Sequence, residues 1–209
     1  MIRPRRPRPM AVLARGLTRS WAWLRDTRGS QIVEFAVALP LLVVFLVAIF
    51  DFGNAFAVKH KLTNAAREGA RFASNQPTTD LSSDTAGSTG SPEAVATLVG
   101  EYLLANKLND CGLSNPGQQT IAQSGLTWTY TANSNGCPGT LTLTIERGYT
   151  YTIATSDLYP AGINVEATRV TVSYPYKWQF NTIFQFLVPG GGFAGNSLIS
   201  SVAVMQNLN

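Results

Sequence analysis

An apolar run broken at its start by one carboxylate constrains this chain more than any other feature. Residues Phe35 to Phe50 carry no charged or strongly polar side chain, and Glu34 stands immediately before them. A charge placed in a bilayer segment costs about 2.5–3.5 kcal/mol even on insertion scales, so Glu34 needs a compensating partner. Phe35–Phe50 alone spans about 24 Å as a helix. Extended from Ile32 to Phe52 it spans about 32 Å, enough to cross the hydrocarbon core, with Glu34 and Asp51 near opposite ends. Pro40 lies inside the run, and a membrane helix tolerates it where neighbours satisfy the freed carbonyl. The run is apolar on all faces, which argues against a half-buried helix of a soluble domain.

Charge orients the segment. Eight arginines (Arg3, Arg5, Arg6, Arg8, Arg15, Arg19, Arg25 and Arg28) precede the run and only Asp26 opposes them, a net +7. The chain as a whole is +4, so the remainder carries −3. The arginine cluster stays on the cytoplasmic side under the positive-inside rule, which sends everything beyond Phe52 outward. Lys59, His60 and Lys61 argue weakly the other way. Trp21 and Trp23 suit the inner membrane surface. The basic balance belongs to the leader, and beyond position 72 no basic patch interleaved with aromatics occurs and acidic residues predominate, so nucleic acid is not an expected partner. Asp51 is read as interfacial, where a charge costs less, rather than as a second functional carboxylate inside the membrane.

A secretory signal peptide is the competing reading. Ala55-Phe56-Ala57 is a small-x-small tripeptide just beyond the apolar run, and a cut there would leave Val58 first. The helical pattern, however, continues through that tripeptide. Ala55, Val58, Leu62, Ala65, Ala66, Gly69, Ala70 and Ala73 recur at three- and four-residue spacing, an amphipathic stripe of small residues that lets a partner surface approach closely. Glu68 and Arg71 are spaced to pair across one turn. One helix is therefore expected from about Gln31 to about Ala73, ended by Pro77 and the polar stretch after it.

Four segments together resemble the TadE-like family, the pseudopilins of the tight-adherence (Flp) pilus system. They are Gly29-Ser30-Gln31-Ile32-Val33-Glu34-Phe35-Ala36, Leu39-Pro40-Leu41-Leu42, Asp51-Phe52-Gly53 and Leu62-Thr63-Asn64-Ala65-Ala66-Arg67-Glu68-Gly69-Ala70-Arg71-Phe72-Ala73. Val170 to Tyr176 and Ser201 to Met205 are similar to the family's usual ending. The resemblance implies a minor pilin-like subunit of the inner membrane with its C-terminal domain outside. It implies cleavage between Gly29 and Ser30 by a prepilin peptidase, and recognition or assembly through Glu34 and Phe35. Implied partners are that peptidase, other pilin or pseudopilin subunits, the inner-membrane assembly platform and the lipid bilayer. Ser30 stands where type IV pilins carry an aromatic residue, a departure shared with the tight-adherence branch. The alternative is an uncleaved, single-pass anchored domain that binds an extracytoplasmic ligand.

The organisation expected is a basic leader (1–29), a transmembrane and stalk helix (30–76), a linker (77–92) and an exported α+β domain (93–209). Ser74 to Pro92 is rich in Ser, Thr, Asp and Gly. Ser91-Pro92-Glu93 opens a second helix with Ser91 as N-cap, buried through Val95, Leu98, Val99, Tyr102, Leu103 and Leu108 and closed by Asn109-Asp110. Beyond it the period falls to two, over Leu126–Thr131, Leu141–Ile145 and Val165–Tyr174, with Ile199–Met205 as a last strand. Arg147 to Ala154 either extends the second of these or begins another. Threonines alternate with large apolar residues, so an antiparallel sheet is expected to pack one face on helix and wet the other. In an exported domain Cys111 and Cys137 are expected to form a disulfide, whereas a cytosolic domain would hold two thiols.

No catalytic site emerges. His60 is the sole histidine and sits among lysines, so it reads as a solvated side chain. No Cys/His cluster has zinc spacing, so neither metal nor cofactor is expected. Pro189 to Gly195 is glycine-rich but lacks the Lys-Ser/Thr of a phosphate loop, and reads as a turn. The chain is expected not to be an enzyme. An exported hydrolase would need a polar cleft holding a serine and an acid.

Overall fold

A computed structural model describes residues 29–77, 90–153, 162–180 and 196–207. The leader with Trp21 and Trp23, the middle of the linker and the glycine-rich turn lie outside the described residues. The chain divides into two compact units, Met1–Val47 and Ala48–Asn209.

Helix α1 covers Ser30–Ser74 without a break and includes Pro40. In the first unit its described residues are almost uniformly exposed, from Ile32 and Val33 through Phe45 and Leu46. Side chains this apolar on every face have no polar solvent to gain from, and α1 is long and apolar enough to cross a membrane.

In the second unit the small-residue stripe is the packing face. Leu62, Ala65, Ala66, Ala70 and Ala73 are fully buried in one core with Val95, Ala96, Val99 and Leu103 of α2 (Ser91–Ala105). The close approach expected of that stripe is therefore made within the chain. Gly69 marks the tightest point: a Cβ there would lie 2.8 Å from Val99 Cγ2 and 3.5 Å from Val170 Cγ1. A Cβ there would have to displace Val99, so glycine lets α1, α2 and the sheet meet at one place without a shift.

The sheet is an antiparallel meander in the order β1-β2-β3-β4-β5, comprising Gln119–Ser124, Thr127–Ala132, Leu141–Ile153, Ile163–Lys177 and Asn196–Gln206. Period-two patterning sets its faces as expected. Trp128, Tyr130 and Ala132 of β2 oppose Ile145, Leu143 and Leu141 of β3, all buried in the core, and Leu143 and Ile145 continue to Val172 and Val170 of β4. The alternate positions form hydroxyl rows on the other face, Thr129–Thr144–Thr171 and Thr131–Thr142–Ser173. Such cross-strand threonine pairs suit a half-wet surface. β3 absorbs Arg147 to Ile153, with a register shift between Glu146 and Tyr149. β1 has no counterpart in the sequence reading. Its polar composition and mostly exposed pattern give no alternation to read.

Two helix ends differ from expectation. Gly90, not Ser91, occupies the N-cap of α2; Ser91 is the first helical residue and is buried. An extended glycine cap leaves Ser91 free to take helical angles. The helix also stops at Ala105 rather than at Asn109-Asp110. Lys107 turns to φ 57°, and Lys107 N and Leu108 N donate to the Leu104 and Leu103 carbonyls at 3.0 and 2.9 Å. That is a Schellman ending with lysine where glycine is usual, so the sequence carries no stop signal. Leu108 packs on the core as the apolar contact of that ending rather than as part of the helix.

Cys111 and Cys137 are joined by a disulfide with Cα atoms 5.4 Å apart. Beside it the Asp110 carboxylate accepts hydrogen bonds from Gly112 N (3.1 Å), Ser114 N (2.9 Å) and Ser114 Oγ (2.5 Å). Burial pushes the Asp110 pKa up, but the Ser114 and Gly112 donors together outweigh it and hold the carboxyl below its ordinary value.

Candidate processing and assembly site

The expected processing residues sit at the helix start. Gly29 is an exposed turn residue whose carbonyl accepts from Val33 N at 3.3 Å, and Ser30 begins α1. Glu34 is the fifth residue of the helix, one turn beyond Ser30, and is exposed, as is Phe35. A one-turn step rises about 6 Å, so a backbone amine at Ser30 and the Glu34 carboxylate stand close along the axis on neighbouring rows of one helix face. That amine would lie at the positive end of the helix dipole, which a carboxylate one turn away offsets.

A second polar site closes the exit of the apolar run, and sequence reasoning missed its partners. Asp51 is buried at 3 % exposure. Its Oδ1 accepts from the Tyr176 hydroxyl at 2.8 Å and its Oδ2 from Phe180 N at 2.8 Å. Both oxygens are thus satisfied by the end of β4 and the residues after it, as burial of a carboxylate requires. Burial pushes the Tyr176 pKa up, and the hydrogen bond to Asp51 and that group's negative charge add to it, to about 12. Aromatic rings surround the pair: Trp178 meets Phe52 and Tyr176 edge-on, with centroids 5.2 and 5.0 Å apart.

The lysines that argued weakly against orientation are bound into the domain instead. Lys59 Nζ donates to the Ser200 carbonyl of β5, and Lys61 Nζ to the Asn106 carbonyl at the end of α2 (2.8 Å). The Thr63 and Ser201 hydroxyls share a 2.9 Å hydrogen bond. Arg147, 4 % exposed, donates to the Gln76 carbonyl just past α1 at 2.8 Å. The stalk half of α1 is therefore fastened to the domain from Asp51 to Gln76. No local pattern announces these contacts, because their partners lie dozens of residues away. Glu68 and Arg71 pair at 2.5 Å as their spacing suggests, and His60 is exposed.

The register shift in β3 opens a cleft of about 450 Å³ lined by Leu126, Thr127, Glu146, Gly148, Tyr149 and Thr150. Arg169 engages Glu146 through two hydrogen bonds (2.9 and 2.7 Å) and lies 4.4 Å from the Tyr149 ring centroid. The lining contains an acid but no serine. Among the described residues no group of three His, Cys, Asp or Glu side chains could hold a metal ion.

Among the described residues one long apolar helix, compatible with a single-pass membrane anchor, leads into a small α+β domain, and that layout defines the class. Residues 29–71, nearly all of α1, are similar to the family model described as TadE-like protein, a likeness that suggests involvement in the tight-adherence pilus system. No curated protein and no solved structure matches the chain.

Proposed function

We propose that the chain is a minor pilin-like subunit for assembly of a tight-adherence pilus, held in the inner membrane with its leader in the cytoplasm and its domain outside. A prepilin peptidase cuts between Gly29 and Ser30 and removes the arginine-rich leader. The amine so freed then pairs with Glu34 of the same or a neighbouring subunit, where scarce water strengthens the attraction. Its partners are the peptidase, other pilin or pseudopilin subunits, the assembly platform and the bilayer, and its role is structural rather than enzymatic. One observation carries this reading: the TadE-like match begins at Gly29, the residue before the expected cut, and runs almost to the end of α1.

N-terminal sequencing of the mature protein tests it. Ser30 as first residue is the expected result. Met1 would favour the uncleaved anchored domain, and Val58 a secretory signal peptide.

A further inference from the structure

The domain surface around the exit of the apolar run has a chemistry of its own. Phe52 and Phe56 lie one turn apart on α1 and are 56 % and 71 % exposed. Trp178 packs edge-on against Phe52 and donates its indole N–H to Ser197 Oγ at 2.7 Å. Tyr176 pairs with Ser197 across β4 and β5, and the next pair is Pro175 with Leu198, which is 67 % exposed. Phe52, Phe56 and Trp178 therefore cluster on the α1 side of one end of the domain, and Leu198 lies at the same end on the opposite face of the sheet. Lys177, between the two aromatic residues of β4's end, is exposed.

We propose that this end of the domain carries a phospholipid-binding collar that seats the domain in the headgroup layer of the bilayer from which α1 emerges. The proposal rests on the membrane anchor proposed above and is independent of leader processing. Three observations favour lipid over another occupant. The collar is continuous in sequence with the apolar run, Phe52 being two residues beyond Phe50. Ile32 to Phe50 spans about 28 Å, close to the hydrocarbon thickness, which places Phe52 at headgroup depth. One tryptophan with a polar edge, two exposed phenylalanine rings and an exposed lysine match the composition of an interfacial belt, in which the cation would meet lipid phosphate. The Asp51–Tyr176–Phe180 contacts give the collar rigidity, because they hold the end of β4 against the helix at that depth.

The test uses the full chain bearing Trp21→Phe and Trp23→Phe, reconstituted in vesicles of phosphatidylcholine and phosphatidylglycerol. Resistance to carbonate extraction first checks the anchor. The Trp178 signal is the difference between this protein and one also carrying Trp178→Phe; Trp128, fully buried, is common to both. Lipid brominated near the headgroup should remove most of that difference emission, and aqueous iodide little of it. A nitroxide on Leu198→Cys, an exposed position that spares the core, should be relaxed more by oxygen than by a water-soluble nickel chelate. Quenching by iodide but not by bromolipid, or relaxation mainly by nickel, would overturn the collar in a carbonate-resistant protein. Shielding from lipid and water reagents alike would overturn it in favour of contact with a second copy. Loss of the protein in carbonate would overturn anchor and collar together.

Discussion

The Tyr176 hydroxyl donates to the Asp51 carboxylate at 2.8 Å across 125 residues of sequence, joining the last turn of the apolar run to the end of β4. The bond closes the polar account of a carboxylate that would otherwise be buried unpaired. Tyr176→Phe removes the donor and leaves the ring. Hydrogen bonds to charged groups contribute about 1.5–3 kcal/mol, so the variant should unfold at correspondingly lower denaturant concentration. Asp51→Ala should cost more, because it strips Phe180 N of its acceptor as well. Equilibrium unfolding of both variants in detergent micelles, followed by near-ultraviolet circular dichroism, provides the ranking.

The same pair sets an alkaline limit. The folded-state pKa of Tyr176 is pushed up to about 12 from an ordinary value of 10.0. The unfolded state therefore gives up its proton first as pH rises. The stability tied to this phenol is fully present below pH 10 and is lost as pH climbs towards 12. Burial pushes the Tyr174 phenol up as well, so phenolate absorbance in the folded protein should show late-titrating tyrosines, and Tyr176→Phe should remove the latest of them.

Gly69 tests the three-way contact of α1, α2 and β4. Gly69→Ala should gain about 1 kcal/mol of helix propensity and lose it again to the 2.8 Å approach of Val99 Cγ2, leaving little net change. Gly69→Val adds more volume with a smaller propensity gain and should destabilise by about 1–3 kcal/mol. Thermal unfolding of the two variants separates steric from conformational causes.

Removing the disulfide by Cys111→Ser with Cys137→Ser should lower stability by about 3.5 kcal/mol on the chain-entropy account of a loop with a sequence separation of 26. Thiol reductant should lower the melting temperature of the wild type towards that of the double variant and leave the variant unchanged.

What could be read in advance were the features with a local period. The unbroken α1, the buried alternation of Trp128 and Tyr130 and of Leu141, Leu143 and Ile145, and the threonine face all follow from side chains spaced three to four or two apart. Features set by tertiary partners were not legible. Lys59 and Lys61 read as helix charges weighing weakly on topology, yet each donates to a distant carbonyl. Asp51 read as an interfacial charge, and its burial was not legible because Tyr176 and Phe180 come close only after the meander folds back. Lys107 ends α2 in a backbone conformation that its side chain does not advertise. The candidate site divides the same way: Gly29, Ser30, Glu34 and Phe35 sit where one helix places them, whereas the Asp51 site requires the whole domain.

Glu34 carries the assembly half of the proposed function, and its substitution separates anchoring from maturation. Glu34→Leu makes the start of the run more apolar, so membrane insertion should be kept or improved. If the carboxylate serves only insertion geometry, surface pili should remain normal. If it pairs with the Ser30 amine, the variant should stay in the membrane while maturation or pilus assembly falls. Gly29→Arg acts one step earlier: a side chain at the cut should leave only the heavier, unprocessed form on a gel, still anchored because α1 is intact. Normal surface pili from Glu34→Leu would remove the amine–carboxylate pair from the mechanism, and a normally processed Gly29→Arg chain would remove the cut itself.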